Sequence, residues 1–129
     1  MTPPVNHNPE ALTEGAALVA ITAPAFDVDL CIAYAGADNF TGAPIYARGD
    51  AYLHEEAAAA LTRAIELAAE ISLRLRIFDA FRPAEAQWVL WNHTPDPDFL
   101  ADPRRGSPHS RGAAVDLTLI DHEGRALDM

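Results

Sequence analysis

The segment SPHSRGAAVDLTL, which covers residues 107–119, constrains this chain more than any other part of the sequence. It places His109 and Asp116 seven positions apart, with Gly112 between them and apolar residues around the aspartate. We expect Gly112 to let the backbone turn tightly and the following residues to form a strand over 112–120. The imidazole and the carboxylate would then meet at a loop-to-strand corner. Because both groups are zinc ligands in proteins, the segment indicates a metal corner.

A plainer interpretation of the same residues stays open at this point. Asp116 lies between Val115 and Leu117, so it is either the outward residue of a half-buried strand or a buried charge with a partner. A histidine and an aspartate at this spacing also recur by chance in unrelated proteins. The spacing alone therefore favours an exposed aspartate and an unrelated loop histidine.

The composition of the chain excludes several classes of partner. The net charge is −10 and every basic residue is an arginine. Such a surface repels phosphate groups, so we expect no nucleic-acid partner and no membrane partner. No apolar run approaches the roughly 20 residues of a membrane span. Cys31 is the only cysteine, and residues 1–9 lack the pattern of a signal peptide, so we expect a cytoplasmic protein without an intramolecular disulfide.

Hydrophobic periodicity predicts strands and helices in a single domain over residues 1–129. Phe26, Val28 and Leu30 alternate with aspartates, which is typical of a half-buried strand. Because strands and helices do not alternate strictly, we predict an α+β fold, with an antiparallel sheet and flanking helices. The predicted elements are strands over 18–21, 26–34, 74–80 and 112–120, helices over 55–72 and 83–92, loops over 36–49 and 94–106, and an N-terminal arm over 1–14.

Four short motifs occur in an order that matches a known family. The string Ser-x-His-x-x-Gly-x-x-x-Asp, formed here by Ser107, His109, Gly112 and Asp116, resembles the signature of the VanX-type zinc D-alanyl-D-alanine dipeptidases. That family belongs with the D-Ala-D-Ala carboxypeptidases and the hedgehog-like domains. The resemblance covers the chain from about residue 26 to residue 129, and on it the chain is identified as a member. The other three matching segments are ADNFTG over 37–42, AYLH over 51–54 and FDAFRP over 78–83.

The resemblance implies a role for several side chains. It makes His109 and Asp116 two of three zinc ligands, and it assigns Arg82 to hold the scissile carbonyl and stabilise the oxyanion. A guanidinium suits that task because it is permanently charged and offers several fixed donors. Ser107 is expected near the amino end of the substrate. The residues expected to line or brace the substrate pocket are Tyr34, Asp38, Asn39 and Phe40.

Two of these assignments have an ordinary structural alternative. From the residues alone, Arg82 is a surface arginine that forms an ion pair with Asp79 or Glu85. Phe40 is as readily explained by packing in the core as by contact with a substrate.

One segment of the family pattern is not found in this sequence. Family members continue to a Glu-x-Trp-His segment, whose glutamate is the general base and whose histidine is the third zinc ligand. The histidines that could stand in are His54, His93 and His122, of which His122 follows the Asp116 strand most closely. We therefore expect a domain that is C-terminally incomplete, or a second chain that supplies the segment. A homo-oligomer is also compatible with the sequence.

The resemblance implies zinc-dependent hydrolysis of the D-alanyl-D-alanine dipeptide, in cell-wall precursor turnover or glycopeptide resistance. Two alternatives come from different functional classes. One is a non-catalytic truncated remnant that binds D-Ala peptides, and the other is a carboxypeptidase that acts on peptidoglycan peptides. A small closed cavity would favour the dipeptidase, whereas a long open groove would favour the carboxypeptidase.

Overall fold

The computed structural model describes residues 4–6 and 18–128. Most of the predicted N-terminal arm therefore lies outside the described residues, but Val5 is buried and its amide donates to the carbonyl of Ile45. The elements of the described residues, in chain order, are β1 (Leu18–Ala20), β2 (Val28–Leu30), β3 (Tyr52–His54), α1 (Glu55–Glu70), β4 (Arg74–Asp79), α2 (Ala84–His93) and β5 (Asp116–Ile120). Single 3₁₀ turns cover Ala33–Ala35 and His109–Arg111.

The strands form two small sheets. The first is three-stranded in the order β2-β4-β5, and the second pairs β1 with β3. The predicted α+β class is confirmed, but the larger sheet is mixed rather than antiparallel, because β2 and β4 run parallel. A parallel pair requires a long crossover connection, and here β3 and α1 lie between the two strands in the chain.

Buried and half-buried residues alternate along the central strand β4, which packs against the core. Leu75, Ile77 and Asp79 are buried, while the residues between them are half-buried. Successive side chains of a strand point to opposite faces, so Asp79 shares the face of Leu75 and Ile77. On that face the two apolar side chains belong to one core cluster with Leu61 of α1. The carboxylate of Asp79, at the C-terminal end of β4, is therefore buried in the interior.

Helix α1 begins where the histidine of β3 caps it. Nδ1 of His54 accepts a hydrogen bond from the amide of Glu56 at 3.3 Å, which satisfies one of the free donors of the first turn. The helix ends at Glu70, two residues short of the predicted end, because Ser72 adopts φ +62°. The helical spacing of five residues in the sequence predicts one buried face made of Leu61, Ile65, Ala68, Ala69 and Ser72. Leu61 and Ala68 are buried and Ile65 is half-buried, but Ala69 and Ser72 are exposed.

Helix α2 supports the other side of the molecule. It covers Ala84–His93, with Pro83 as its N-cap instead of its first residue. Ala86 and Leu90 are fully buried in a second core cluster with Val5, Ile45, Tyr46 and Leu100. All four predicted strands are shorter than expected: 18–21 becomes β1, 26–34 becomes β2, 74–80 becomes β4 and 112–120 becomes β5. In the described part of the chain, neither helix has the length and hydropathy that a membrane crossing needs.

Candidate active site

The candidate site lies where β4 ends and β5 begins. Asp79 and Asp116 are partners in the register of these two strands, next to an irregularity between Ile77 and Asp79. The 3₁₀ turn that contains His109 lies beside them, and Nε2 of His109 is 3.4 Å from Oδ1 of Asp116. The structure therefore brings together the two residues that the sequence predicts as metal ligands.

Gly112 makes this corner sterically feasible, as the sequence predicts. It follows the 3₁₀ turn with φ +70°, which is a left-handed conformation that glycine adopts without strain. Its carbonyl accepts a hydrogen bond from the amide of His54 at 2.9 Å. A Cβ atom at this position would lie 2.8 Å from the same amide nitrogen. The chain therefore closes against the end of β3 only because residue 112 has no side chain.

The imidazole of His109 is oriented by the main chain. Its Nδ1 lies 2.8 Å from the carbonyl oxygen of Ala80. A carbonyl oxygen can only accept, so Nδ1 carries the proton and Nε2 faces Asp116. A hydrogen bond of this kind on the second ring nitrogen is typical of metal-bound histidines, because it fixes both tautomer and ring orientation.

The two candidate ligands shift each other's pKa. Burial lowers the pKa of His109, but its hydrogen bonds to Asp116 and to the carbonyl of Ala80 outweigh burial and raise that pKa above 6.5. The hydrogen bond from His109 lowers the pKa of Asp116 below 3.8. Asp116 is therefore a carboxylate at neutral pH, ready to bind a cation.

Asp79 lies close enough to join His109 and Asp116 in a metal-binding group, since ligand atoms of all three lie within 4.8 Å of one another. Its lone pairs are already used, however. Oδ1 accepts from the hydroxyl of Tyr46 at 2.7 Å and from the amide of Ala80 at 3.0 Å. Oδ2 accepts two hydrogen bonds from Arg82. Because a carboxylate offers about four acceptor sites, we assign Asp79 to Arg82, and His109 and Asp116 remain as donors that fit a metal.

Arg82 is a buried residue with a fixed guanidinium. Nε and Nη2 donate to Oδ2 of Asp79 at 3.1 and 2.7 Å, and Nη1 donates to Oε1 of Gln87 at 2.8 Å. The ordinary alternative from sequence was right about Asp79 as a partner but wrong about a surface position, because Arg82 is only 5% exposed. Glu85 is exposed and is not its partner in the ion pairs that the structure describes.

Arg82 stays protonated, and its guanidinium lies near the candidate metal ligands. Burial lowers the pKa of its guanidinium, but Asp79 and the two neighbouring tyrosines outweigh burial and raise that pKa above its ordinary value. The guanidinium carbon lies 5.3 Å from the ring centre of Tyr34, within the range of a cation–π contact. Nη2 is 3.8 Å from Oδ2 of Asp116. The arginine therefore borders the same space as the histidine–aspartate pair.

A cleft of about 350 Å³ opens over these groups. Ser107 lies in its wall, is 2% exposed, and accepts a hydrogen bond from the amide of His109 at 3.2 Å through Oγ. The cleft is therefore continuous with both candidate ligands and with the predicted substrate-binding serine. Its lining residues are Tyr34, Arg82, Phe99, Leu100, Ala101, Ser107, Pro108, His109 and Asp116.

The remaining predicted pocket residues lie on the loop after residue 35, at different distances from the cleft. Phe40 is 36% exposed and makes edge-to-face contacts with Tyr34 and with Phe99, so it borders the cleft walls without lining the cleft. The side chain of Asn39 braces the loop through hydrogen bonds to Ala33, Gly36, Thr41 and Ala43. Asp38 is exposed and does not line the cleft.

The other histidines considered from sequence do not join the His109–Asp116 pair. His54 caps α1, and His93 is an exposed residue at the end of α2 that contacts the ring of Phe40. His122 is exposed and follows β5, whereas Asp116 begins that strand. The strand alone separates its two ends by roughly 13 Å. None of the three belongs to the group of clustered ligand atoms within residues 4–6 and 18–128.

Two residues of the site were missed as functional residues by sequence reasoning. Asp79 has a weak signal in the sequence, because it continues the alternation of Leu75 and Ile77 inside a buried strand. Gln87 has no such signal, since its importance comes from contacts with Arg82 and Ala101 that only the fold brings together.

A buried arginine beside an oriented histidine–aspartate pair, set at the end of a mixed sheet, is an arrangement that could hold a metal ion next to a fixed positive charge. Residues 15–129 match the family model described as "D-ala-D-ala dipeptidase", and the chain belongs to this peptidase family. It is similar to the D-alanyl-D-alanine dipeptidase of Escherichia coli (strain K12), with 47% identity over 103 residues. This match covers 80% of the chain and 53% of the relative, so the chain spans about half the length of the curated relative it matches. The comparisons give no support for a homo-oligomer or a second chain.

Proposed function

We propose that the protein hydrolyses the D-alanyl-D-alanine dipeptide with the help of a zinc ion. The observation that carries the proposal is the 3.4 Å approach of His109 Nε2 to Asp116 Oδ1 beside the buried Arg82. Family membership and the similarity to the Escherichia coli dipeptidase support the choice of substrate.

His109 and Asp116 are the residues that would hold the metal. An imidazole nitrogen and a carboxylate oxygen are a donor set that zinc accepts, and the carbonyl of Ala80 already fixes the ring. A bound zinc ion supplies Lewis acidity, which activates water and polarises a carbonyl group. This chemistry makes the cleft suitable for hydrolysis of a peptide bond.

Arg82 would stabilise the charge that develops on the scissile carbonyl oxygen. Its guanidinium has five N–H groups, of which three donate to Asp79 and Gln87. Tyr46 also interacts with Arg82, so at most two N–H groups remain for a ligand. Because Asp79 and Gln87 hold the group in place, little reorganisation is needed when charge develops. Donors fixed in advance in this way are worth about 10²–10³-fold in rate in other hydrolases.

The cleft is better matched to a short substrate than to a long chain. Its volume of about 350 Å³ is bounded by Tyr34, by Phe99 and by the loop around Ala101. Ser107 has a lone pair left after accepting from the amide of His109, so it can accept from the ammonium group of a dipeptide. We assign Tyr34 and Phe40 to the walls, Asn39 to bracing their loop, and Asp38 to the rim.

The biological setting belongs to the proposal as well. D-Ala-D-Ala hydrolysis would serve cell-wall precursor turnover or glycopeptide resistance, and a free dipeptide substrate is consistent with a cytoplasmic location. Cys31 is exposed as a free thiol, which a reducing compartment preserves.

The decisive experiment measures zinc content and turnover on one purified sample. The substrates are D-Ala-D-Ala, L-Ala-L-Ala and an N-acylated peptide ending in D-Ala-D-Ala. We expect zinc uptake and hydrolysis of the D,D-dipeptide alone from a protein that carries the Glu-x-Trp-His segment of the family, which would supply the third ligand and the general base. Residues 1–129 by themselves should bind zinc more weakly and hydrolyse little, because they offer two ligands and no such base. His109→Ala should remove both zinc and activity, whereas the control His122→Ala, an exposed histidine beyond β5, should retain both.

Each alternative predicts a different result. Preference for the acylated peptide would identify a carboxypeptidase acting on peptidoglycan peptides. Binding of D-Ala peptides without turnover would identify a non-catalytic binding protein. A sample that takes up no zinc, or one in which His122→Ala rather than His109→Ala loses it, would refute the proposed metal site.

A further inference from the structure

Gln87 occupies a position between the candidate catalytic arginine and the cleft wall. It lies on α2, and its side chain is 1% exposed. Oε1 accepts a hydrogen bond from Nη1 of Arg82 at 2.8 Å. Nε2 donates to the carbonyl oxygen of Ala101 at 2.8 Å. One amide therefore links two parts of the site that lie far apart in the sequence.

The chemistry of the two partners fixes the orientation of this amide. A guanidinium can only donate and a main-chain carbonyl can only accept, so the oxygen of Gln87 must face Arg82 and its nitrogen must face Ala101. A glutamate could accept from Arg82 but could not donate to Ala101. An apolar side chain of the same length could do neither.

The guanidinium is held at two edges, and Gln87 provides the second. Asp79 binds the edge formed by Nε and Nη2, which leaves the planar group able to tilt about that edge. The hydrogen bond from Nη1 to Gln87 removes this freedom. The remaining N–H groups of Arg82 then have a fixed direction.

The second hydrogen bond of Gln87, to the carbonyl of Ala101, connects Arg82 to another wall of the cleft. Ala101 lines the cleft together with Leu100 and Phe99. Anchoring the carbonyl of Ala101 therefore sets the position of a wall segment relative to the arginine. Because misplacement of a positioning group by about 1 Å can cost about 10²-fold in rate, such a link matters for chemistry.

We propose that Gln87 is a positioning residue, which aims the Arg82 guanidinium into the cleft and ties it to the wall at Ala101. Gln87 does not touch the substrate and acts through Arg82. The proposal rests on the proposed function for its kinetic consequences, but the contact itself can be tested without turnover.

The test uses two substitutions that separate the two hydrogen bonds. Gln87→Met keeps the length of the side chain and removes both bonds, whereas Gln87→Glu keeps an acceptor for Arg82 and loses the donor to Ala101. Asn92→Ala, which removes an exposed amide from the same helix, is the matched control. The purified zinc-loaded proteins are compared in D-Ala-D-Ala hydrolysis, and each Gln87 variant is also combined with Arg82→Lys.

We expect Gln87→Met to lower kcat by about 10- to 100-fold, with KM and zinc content changed by less than about threefold. Gln87→Glu should have a kcat between those of Gln87→Met and the parent, because it keeps the bond from Arg82 and loses the one to Ala101, and the control should match the parent. Because Gln87 acts through Arg82, Gln87→Met should cost far less in the Arg82→Lys background. Unchanged kcat in Gln87→Met, equal loss in both Gln87 variants, or additive losses with Arg82→Lys would overturn the proposal.

Side-chain NMR of Arg82 provides a readout that is independent of activity. In the parent protein the Nε and Nη1 protons should be protected from exchange with water. Gln87→Met should expose the Nη1 protons while the Nε proton, held by Asp79, stays protected. If the parent protein shows no hydrolysis even when the Glu-x-Trp-His segment is supplied, the proposed function is wrong, and these signals alone decide the role of Gln87. If Gln87→Met does not fold, Gln87→Glu decides it: retained Nη1 protection supports the proposal, and lost protection refutes it.

Discussion

The backbone amide of Arg82 donates a hydrogen bond to the carbonyl oxygen of His109 at 2.9 Å. This bond joins the turn after β4 to the 3₁₀ turn before β5, so the candidate charge-stabilising residue and a candidate metal ligand share one backbone framework. Their side chains then border the same cleft without depending on long flexible loops. A site built on fixed main-chain contacts needs little reorganisation when a substrate binds.

The first prediction concerns the guanidinium of Arg82. Arg82→Lys keeps the positive charge but loses the planar group that binds Asp79 and Gln87 together. We expect kcat for D-Ala-D-Ala to fall by roughly 10²–10³-fold, with zinc still bound. Arg82→Ala should instead lower the free energy of unfolding by about 3–5 kcal/mol, because it leaves the buried carboxylate of Asp79 without its partner. Steady-state kinetics measures the loss of kcat, and urea unfolding measures the loss of stability. Full activity of Arg82→Lys would contradict the role of the guanidinium in stabilising charge on the scissile carbonyl oxygen.

A second prediction concerns the tight corner at Gly112. Gly112→Ala places a Cβ 2.8 Å from the amide nitrogen of His54 at a residue with φ +70°. We expect a loss of about 1–3 kcal/mol of stability together with weaker zinc binding, because the corner must open and move His109 away from Asp116. Gly36→Ala is the control, since a Cβ there meets no atom within 4 Å. Equal stability of the two variants in urea would show that the corner tolerates a side chain.

How far the sequence predicted the site depends on how local each contact is. The approach of His109 to Asp116 was predicted from the family resemblance of a short local motif, because the seven-residue spacing alone favoured an exposed aspartate and an unrelated histidine. The burial of Arg82 could not, because it depends on Asp79 from β4 and Gln87 from α2. The alternation of Leu75 and Ile77 is a signal that could have placed the residue at 79 on the inward face, but it does not say which charge that residue would meet.

The same distinction applies to the fold. The strand at β4 and both helices were predicted within about two residues, because each has a clear period or cap of its own. The parallel pairing of β2 with β4 was not predicted, since it depends on where α1 crosses. The short strand β3 was noticed only as a family motif, because three residues carry too little pattern.

A third prediction concerns the pH dependence of zinc binding. In the metal-free protein the pKa of His109 is raised above 6.5, mainly by the hydrogen bond to Asp116 acting against burial. Zinc must displace the proton from Nε2, so its affinity should fall as the pH drops from about 8 to about 6. The rise in Tm caused by zinc should therefore shrink over this range. A zinc-induced shift that does not depend on pH would argue against His109 as a ligand.

The stability of the metal-free protein should follow the opposite trend. A raised pKa for His109 means that its pairing with Asp116 stabilises the fold below about pH 6.5 and that this stability is lost as the pH rises through the shifted value. A lowered pKa for Asp116 means that its contribution to the free energy of unfolding is present above about pH 3.8 and is lost in stronger acid. The pair therefore contributes most between these limits, and Asp116→Asn should remove the contribution. Thermal unfolding of the zinc-free protein across this range measures it.

The last prediction concerns the hydroxyl of Tyr46, which donates to Oδ1 of Asp79 at 2.7 Å in the buried network behind Arg82. Burial raises the pKa of Asp79 above 3.8, and the bonds from Arg82 and Tyr46 act against that rise. Tyr46→Phe removes one of them, so the pKa should rise further. Because Asp79 is charged at neutral pH and protonated in strong acid, the variant should lose about 1 kcal/mol at neutral pH and less below pH 3.8. Urea unfolding at both pH values tests this sign, and a loss that is equal at the two values would mean that Tyr46 contributes packing alone.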